Sequence, residues 1–232
     1  MQEGVPQGAS FCVGMLMSKQ FNKFEDRNNF KFNLTEGAEY VGRYGLPKLR
    51  KSDYVPGKLV PFNLAMTHKA PSESCVHFFV DDYQFERLWN YPEKYLDVLL
   101  RFEGVVAPDF SMLSAMPLAQ RIWNCYRNRA LAFWMQRNGI QMIPAVGWTY
   151  YDELDWCLDG LPKHSNIAIE THGCMQNQRR RYALLKGMER IAKELEPGTV
   201  ICYGGEIESA NGLFKNIIFM ENYCKTIQKR VK

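Results

Sequence analysis

The stretch that most constrains this chain is Gly104-Val-Val-Ala-Pro-Asp-Phe-Ser111. An apolar run from Val105 to Ala107 stops at Pro108, and an acid, an aromatic and a hydroxyl follow before a long amphipathic segment begins. A parallel strand buried on both faces reads this way when it delivers polar groups at its carboxyl end. The same order recurs in His77-Phe-Phe-Val-Asp-Asp82, Met142-Ile-Pro-Ala-Val-Gly-Trp148, Ile167-Ala-Ile-Glu-Thr-His-Gly173 and Val200-Ile-Cys-Tyr-Gly-Gly-Glu206. The repeated unit is a strand plus a helix of about 30 residues.

Strands are therefore expected within 60–66, 75–80, 104–107, 141–146, 166–170 and 199–203. Helical spacing lies between them. Phe85, Leu88 and Trp89 mark about two turns, and Pro92 restarts a helix with Tyr95, Val98, Leu99 and Phe102 on one face. Proline suits a first turn and breaks an interior one, so two short helices at an angle are expected. Leu118, Ile122, Tyr126, Ala130, Phe133 and Trp134 predict a helix over roughly 117–138 with Gly139 at its C-cap. Arg121, Arg127, Arg129 and Arg137 fall on its other face, read as a solvated stripe or a rail for a phosphate backbone. A short acidic helix follows with Asp152, Glu153 and Asp155, where acids complement the helix dipole. Tyr182, Leu185, Met188, Ile191 and Leu195 predict another helix, and Ile217, Met220, Tyr223 and Ile227 a last one over roughly 213–230.

Alternating strands and helices imply right-handed crossovers and a parallel sheet. The units are too few for a full eight-unit barrel, which takes about 250 residues. The expected fold is α/β, a compact or incomplete TIM-like parallel barrel with the 36–66 region supplying missing strands. The alternative is an open doubly wound parallel sheet. Residues 1–58 read as an irregular arm and loops packing on the core, and 59–232 as the βα-repeat domain.

Composition narrows the classes. No apolar run approaches the roughly 20 residues that cross a bilayer, and Phe11 to Met17 is too short and interrupted for a signal segment, so a cytoplasmic protein with no membrane partner is expected. The 7 cysteines are an odd number and none stand at C-x-x-C spacing. That disfavours a disulfide framework or a zinc ribbon. A net charge of +4 tolerates a phosphate-bearing partner without demanding one. The glycine-rich dinucleotide fingerprint, the P-loop, His-Glu-x-x-His, Gly-x-Ser-x-Gly and an iron–sulfur cysteine triplet are all absent. Nothing signals nicotinamide, flavin, haem or an iron–sulfur cluster.

Both architectures place function at the carboxyl ends of the strands. Asp81, Asp82, Asp109, Ser111, Trp148, Thr149, Glu170, His172 and Glu206 collect there. Asp82, Asp109, Glu170 and His172 are the candidate catalytic groups, with Ser111 and Trp148 as substrate contacts. Converging carboxylates repel one another unless a proton or a cation compensates. Oxygen ligands suit Mg²⁺ or Mn²⁺, held by Asp82, Asp109 and Glu206. Asp82 and Ser111 also read as ordinary helix N-caps. Arg179, Arg180 and Arg181 oppose the dipole at a helix N-terminus, a misfit that a bound anion would remove, so Arg179 and Arg180 are candidate phosphate ligands.

From Leu59 onward the chain resembles a bacterial and phage-borne family known as a domain of unknown function. Phe78-Phe-Val-Asp-Asp82, Phe85-Glu-Arg-Leu-Trp89, Pro108-Asp-Phe-Ser111, Gly139 to Pro144, Ile167 to Gly173 and Tyr203-Gly-Gly205 carry the resemblance. It implies a gene of phages, plasmids and other mobile elements, and supplies no catalytic assignment. Where relatives tend to have a Ser-Thr-Xaa-Gly turn, this chain has Glu170-Thr-His-Gly173.

Three functions follow as expectations. The first is a metal-dependent hydrolase or transferase acting on a phosphorylated or nucleotide-like substrate. The second is a non-enzymatic nucleic-acid-binding protein for replication or regulation, using the arm, the arginine stripe and the basic C-terminus. The third is a protein that binds a host protein without chemistry.

Overall fold

The computed structural model describes residues 30–174 and 177–222. The first 29 residues, and with them most of the expected arm, lie outside the described residues. Residues 30–58 pack closely on the rest. A 3-10 turn spans Phe32–Thr35, and strands β1 (Tyr40–Val41) and β2 (Leu46–Pro47) pair antiparallel. Leu34 and Leu46 are fully buried.

Each apolar run becomes a strand, and most are shorter than the run. β3 is Leu59–Pro61, β4 Cys75–His77, β5 Gly104–Val106, β6 Met142–Ile143, β7 Ile167–Glu170, β8 Val200–Tyr203 and β9 Ile217–Met220. Proline sets two of the limits, because it lacks the N–H that a ladder needs. Pro61 closes β3, after which Phe62–Thr67 is a 3-10 turn rather than more strand, and Pro144 follows β6 directly.

Beyond the β1–β2 hairpin the strands pair in sequence order and in parallel. β3 to β6 form a 4-stranded sheet and β7 to β9 a 3-stranded one. One isolated parallel bridge, Ala145 to Ala168, joins the two sheets. Among the described residues β9 pairs with β8 and β3 with β4, so the sheets do not close into a barrel. Side chains nevertheless meet between the sheets. The His77 ring of β4 lies 4.4 Å from the Tyr203 ring of β8, and Phe79 stacks on the same tyrosine at 5.3 Å. Gly104, in register with Cys75, has no side chain, and the ring of Tyr54 fills its place. A Cβ at position 104 would stand 2.3 Å from Tyr54 Cε1.

Helices α1 (Glu86–Asn90) and α2 (Glu93–Leu100) flank Pro92 as expected. The long helix α3 (Leu118–Arg137) departs from its predicted faces. Leu118 is 47% exposed, whereas Arg121 and Arg129 are buried at 8% and 3%. Arg121 Nε donates to Glu153 Oε1 at 2.7 Å, Arg127 pairs with Glu86 at 2.9 Å, and Arg137 donates to the Asn33 and Glu36 carbonyls. The arginine stripe is thus neither a solvated face nor a phosphate rail; these arginines are spent on the protein itself. Buried guanidinium is tolerated where its donors are satisfied, and spacing alone does not reveal the partners. Glu153 likewise serves as the buried partner of Arg121, on the 3-10 turn leading into α4 (Leu154–Cys157).

Helix α5 (Gln178–Leu195) forms as predicted, with Met188, Ile191 and Leu195 buried, but its first turns bury Leu184 and Gly187 and leave Tyr182 65% exposed. The last expected helix does not form over its described part. Ile217-Ile-Phe-Met220 is β9, a continuous apolar run with two β-branched residues that adds to the edge of β8. The remainder, 223–230, lies outside the described residues. No helix among the described residues is long and apolar enough to cross a membrane.

The Tyr54–Gly104 contact is directly testable. Gly104→Ala overpacks a rigid ring, so it is expected to lose about 1–3 kcal/mol in urea unfolding. Gly57→Ala, where nothing lies within 4 Å of the added carbon, should stay within about 0.5 kcal/mol of the parent.

Candidate functional site

Three strand ends deliver acids to one place. Asp81 and Asp82 follow β4, Asp109 follows β5, and Glu170 is the last residue of β7. Burial pushes the Asp109 carboxyl up to about 7, with the Asp82 charge adding to the rise and the Arg129 guanidinium opposing it. Burial also pushes Glu170 up to about 8, reinforced by Asp109 and then by Asp81. Asp82 acts on Asp109, and Asp109 and Asp81 act on Glu170, so these strand ends share one electrostatic neighbourhood, the acidic mouth. Gly147, just past β6, makes room for it. A Cβ there would stand 2.9 Å from Asp109 Oδ1.

Asp82 and Ser111 are paired with each other. Asp82 Oδ1 accepts from Ser111 Oγ at 2.9 Å and from Ser111 N–H at 3.1 Å, which latches the end of β4 to the end of β5. Neither therefore acts as the helix cap that its sequence position allows. Asn124 Nδ2 of α3 donates to the Ser111 carbonyl at 2.6 Å and fixes the latch from below.

The other predicted residues are placed differently. His172 is exposed, and its backbone is pressed on Gly204, where a Cβ would stand 2.4 Å from His172 N. Glu206 is exposed, while the acids that raise Asp109 and Glu170 are Asp81, Asp82 and Asp109. The half-buried Trp148 indole covers Gly187 of α5, where a Cβ would stand 2.3 Å from its ring. Arg179 and Arg180 are exposed at the start of α5. Their backbone N–H groups are capped by Asn177 Oδ1 at 2.8 and 3.4 Å. This cap answers part of the terminal misfit without an anion. The Cys174 thiol, pushed up by burial and by Glu170, is pulled down by Arg180.

Among the described residues no three His, Cys, Asp or Glu side chains converge as metal ligands do. The set Asp82, Asp109 and Glu206 therefore has no fit to Mg²⁺ or Mn²⁺ here.

Sequence reasoning gave His77 no role and read Arg129 only as part of the outer stripe. His77 is fully buried, its Nδ1 accepts from Phe79 N–H at 3.2 Å, and its Nε2 has no partner. Burial pushes its pKa down to about 3, which keeps the ring neutral. A histidine in an otherwise apolar strand was the available signal. For Arg129 no local signal existed.

The acids make a signed prediction. Their folded pKa values exceed the ordinary ones, so the stability they contribute is complete below the unfolded values and is lost as pH rises through about 7 and 8. His77, with a lowered value, acts only below its ordinary 6.5. Between pH 6.5 and about 9 the melting temperature should fall. The doubly substituted Asp109→Asn, Glu170→Gln protein should lose that fall and melt higher at the alkaline end, by about 2–4 °C for each kcal/mol recovered. Equal slopes in scanning calorimetry would contradict the shared field.

The sequence is similar to a family model and to two phage proteins. The family model described as "Domain of unknown function (DUF4417)" matches residues 38–223, which takes in every strand end of the mouth and begins ahead of Leu59. The "Gene 1 protein" of Mycobacterium phage L5 is 33% identical over 174 residues, which cover 74% of this chain and 76% of the phage protein. The "Gene 1 protein" of Mycobacterium phage D29 is 32% identical over 163 residues, covering 69% of this chain and 60% of that protein. These relatives have the phage setting that the resemblance implied. No solved structure matches the chain. With four fifths of its length inside the family match, the chain belongs to the DUF4417 family.

Proposed function

We propose that this phage-type protein is a hydrolase or transferase that acts on a phosphorylated or nucleotide-like substrate by acid–base catalysis at the mouth of an incomplete TIM-like barrel. The barrel reading is supported by sequential parallel strand order and by the His77–Tyr203 contact between the sheets. A doubly wound sheet would reverse its strand order at a switch point.

The observation that carries the function is the pair of raised carboxyls. At neutral pH Glu170, near 8, holds a proton, and Asp109, near 7, is poised to take or give one. A general acid and a general base work best with pKa values near the operating pH. Glu170 is assigned the proton donated to a leaving-group oxygen, and Asp109 the proton removed from the attacking water or hydroxyl. The two titrate as a pair, so the reaction profile reports both. Asp82, locked on Ser111, holds the β4 and β5 ends in register for this exchange. Arg180, with Arg179 beside it, offers the guanidinium groups that bind a substrate phosphate. No step runs through a metal, because the ligand triple is lacking.

The test uses nucleoside monophosphates with the whole chain, following phosphate and free base by chromatography. Turnover with a bell-shaped pH profile is expected. Asp109→Asn and Glu170→Gln should each lower kcat about 10²–10⁴-fold, while Arg180→Ala raises KM and spares kcat. Turnover that both carboxyl variants retain would overturn the assignment.

A further inference from the structure

The outer face of α5 combines cations with exposed aromatic rings. The helix holds six basic and two acidic side chains, an excess as large as the net +4 of the whole chain. Arg179, Tyr182, Lys186, Arg190 and Lys193 stand three or four residues apart, so they form one stripe, on the side opposite the buried Leu184, Met188, Ile191 and Leu195. Lys186 Nζ lies 5.9 Å from the ring of the exposed Tyr182. One turn further along, the Arg190 guanidinium lies 5.4 Å from the ring of Tyr151, which is 54% exposed on the 3-10 turn before α4. Arg190 Nη1 also donates to the Tyr151 carbonyl at 3.3 Å, which ties that turn to the stripe. The stripe adjoins the mouth. Gly147 lies against Asp109, and the indole of the next residue, Trp148, rests on Gly187, which follows Lys186 in α5.

We propose that this face of α5, with Tyr151 beside it, is a track for single-stranded nucleic acid, whose bases stack on Tyr182 and Tyr151 and whose phosphates meet the flanking cations. The inference rests on the nucleotide-like substrate assigned to the mouth, and it makes that substrate one residue of a polymer. Single strands are held in this way without base-specific contacts, because every base has a face that stacks on an aromatic ring and every linkage carries a charge. A duplex keeps its bases stacked on one another and offers the rings nothing. From Arg179 to Lys193 the helix rises about 21 Å, comparable with a site of about 4 nucleotides.

Charge also favours this face over the rest of the surface described. The acids of the mouth repel phosphate, so attraction must come from outside it. Helix α3 turns its arginines onto the protein itself, whereas Arg179, Arg180, Arg181 and Lys193 of α5 are exposed. Lys186 pairs with Glu189 at 2.7 Å, and Arg190 with Asp155 at 2.7 Å and Glu194 at 2.6 Å. All three acids keep at least 42% of their side chains exposed. Pairs with exposed partners contribute little, so phosphate oxygens replace those carboxylates at small cost and gain charge-assisted hydrogen bonds.

Fluorescence anisotropy of a fluorescein-labelled deoxythymidine strand of about 12 nucleotides tests the track. The whole chain carries Asp109→Asn and Glu170→Gln, so that binding is read without turnover. Saturable binding is expected, weakened about tenfold between about 50 and 200 mM salt. Tyr182→Ala and Tyr151→Ala should each weaken it about 5–150-fold, while Tyr182→Phe, which keeps the ring, binds like the parent. No binding at low salt, equal affinity for heparin or for a duplex of the same length, or alanine variants that bind like the parent would each overturn the proposal. Turnover of nucleoside monophosphates by the unsubstituted chain is scored separately. Turnover without strand binding removes the track and leaves the acid–base assignment; strand binding without turnover keeps the track and removes that assignment.

Discussion

One buried guanidinium holds the molecule's two sheets and its acidic mouth in relation. Arg129 is 3% exposed and donates to the carbonyl oxygens of Ala145, Cys157 and Asp159. Ala145 is also the residue whose bridge to Ala168 joins the two sheets. The same charge lowers Asp109 against burial and against Asp82. A cation taken from water at this depth is tolerated only because its donors are met and acids lie close by. Removing it would orphan three carbonyls and leave Asp109 among like charges with less to offset them, so fold and site fail together.

The acidic mouth exists against its own electrostatics. Burial and the neighbouring charges of Asp81 and Asp82 raise Asp109 and Glu170, and the structure meets the repulsion in three ways. The Asp82 carboxylate is solvated locally by the N–H and hydroxyl of Ser111. Arg129 offsets Asp109, and Glu170 retains its proton. Each device fixes geometry as well as charge, which is the state in which proton transfer needs little reorganisation. Gly147 contributes by absence, since any side chain there would occupy the space of Asp109.

What the sequence disclosed follows from which forces act locally. Strands at 75–77, 104–106, 167–170 and 200–203 were legible because a fully buried strand must be apolar throughout, and Pro61 and Pro144 explain where others stop short. That Asp82, Asp109 and Glu170 lie at or just beyond the carboxyl ends of parallel strands was legible from the alternation alone. The interior of α3 was not. Its periodicity named Leu118 as core and Arg129 as surface, yet the arginine reaches carbonyls 16 to 30 residues away. Such partners depend on loops whose paths no spacing encodes. The strand at Ile217–Met220 was misread for the converse reason. Isoleucine and methionine three apart fit a helix face, but the open edge of β8 offers hydrogen bonds that only an extended chain can take. His172 and Glu206 stand at strand ends as read, but the turns after β7 and β8 leave both exposed.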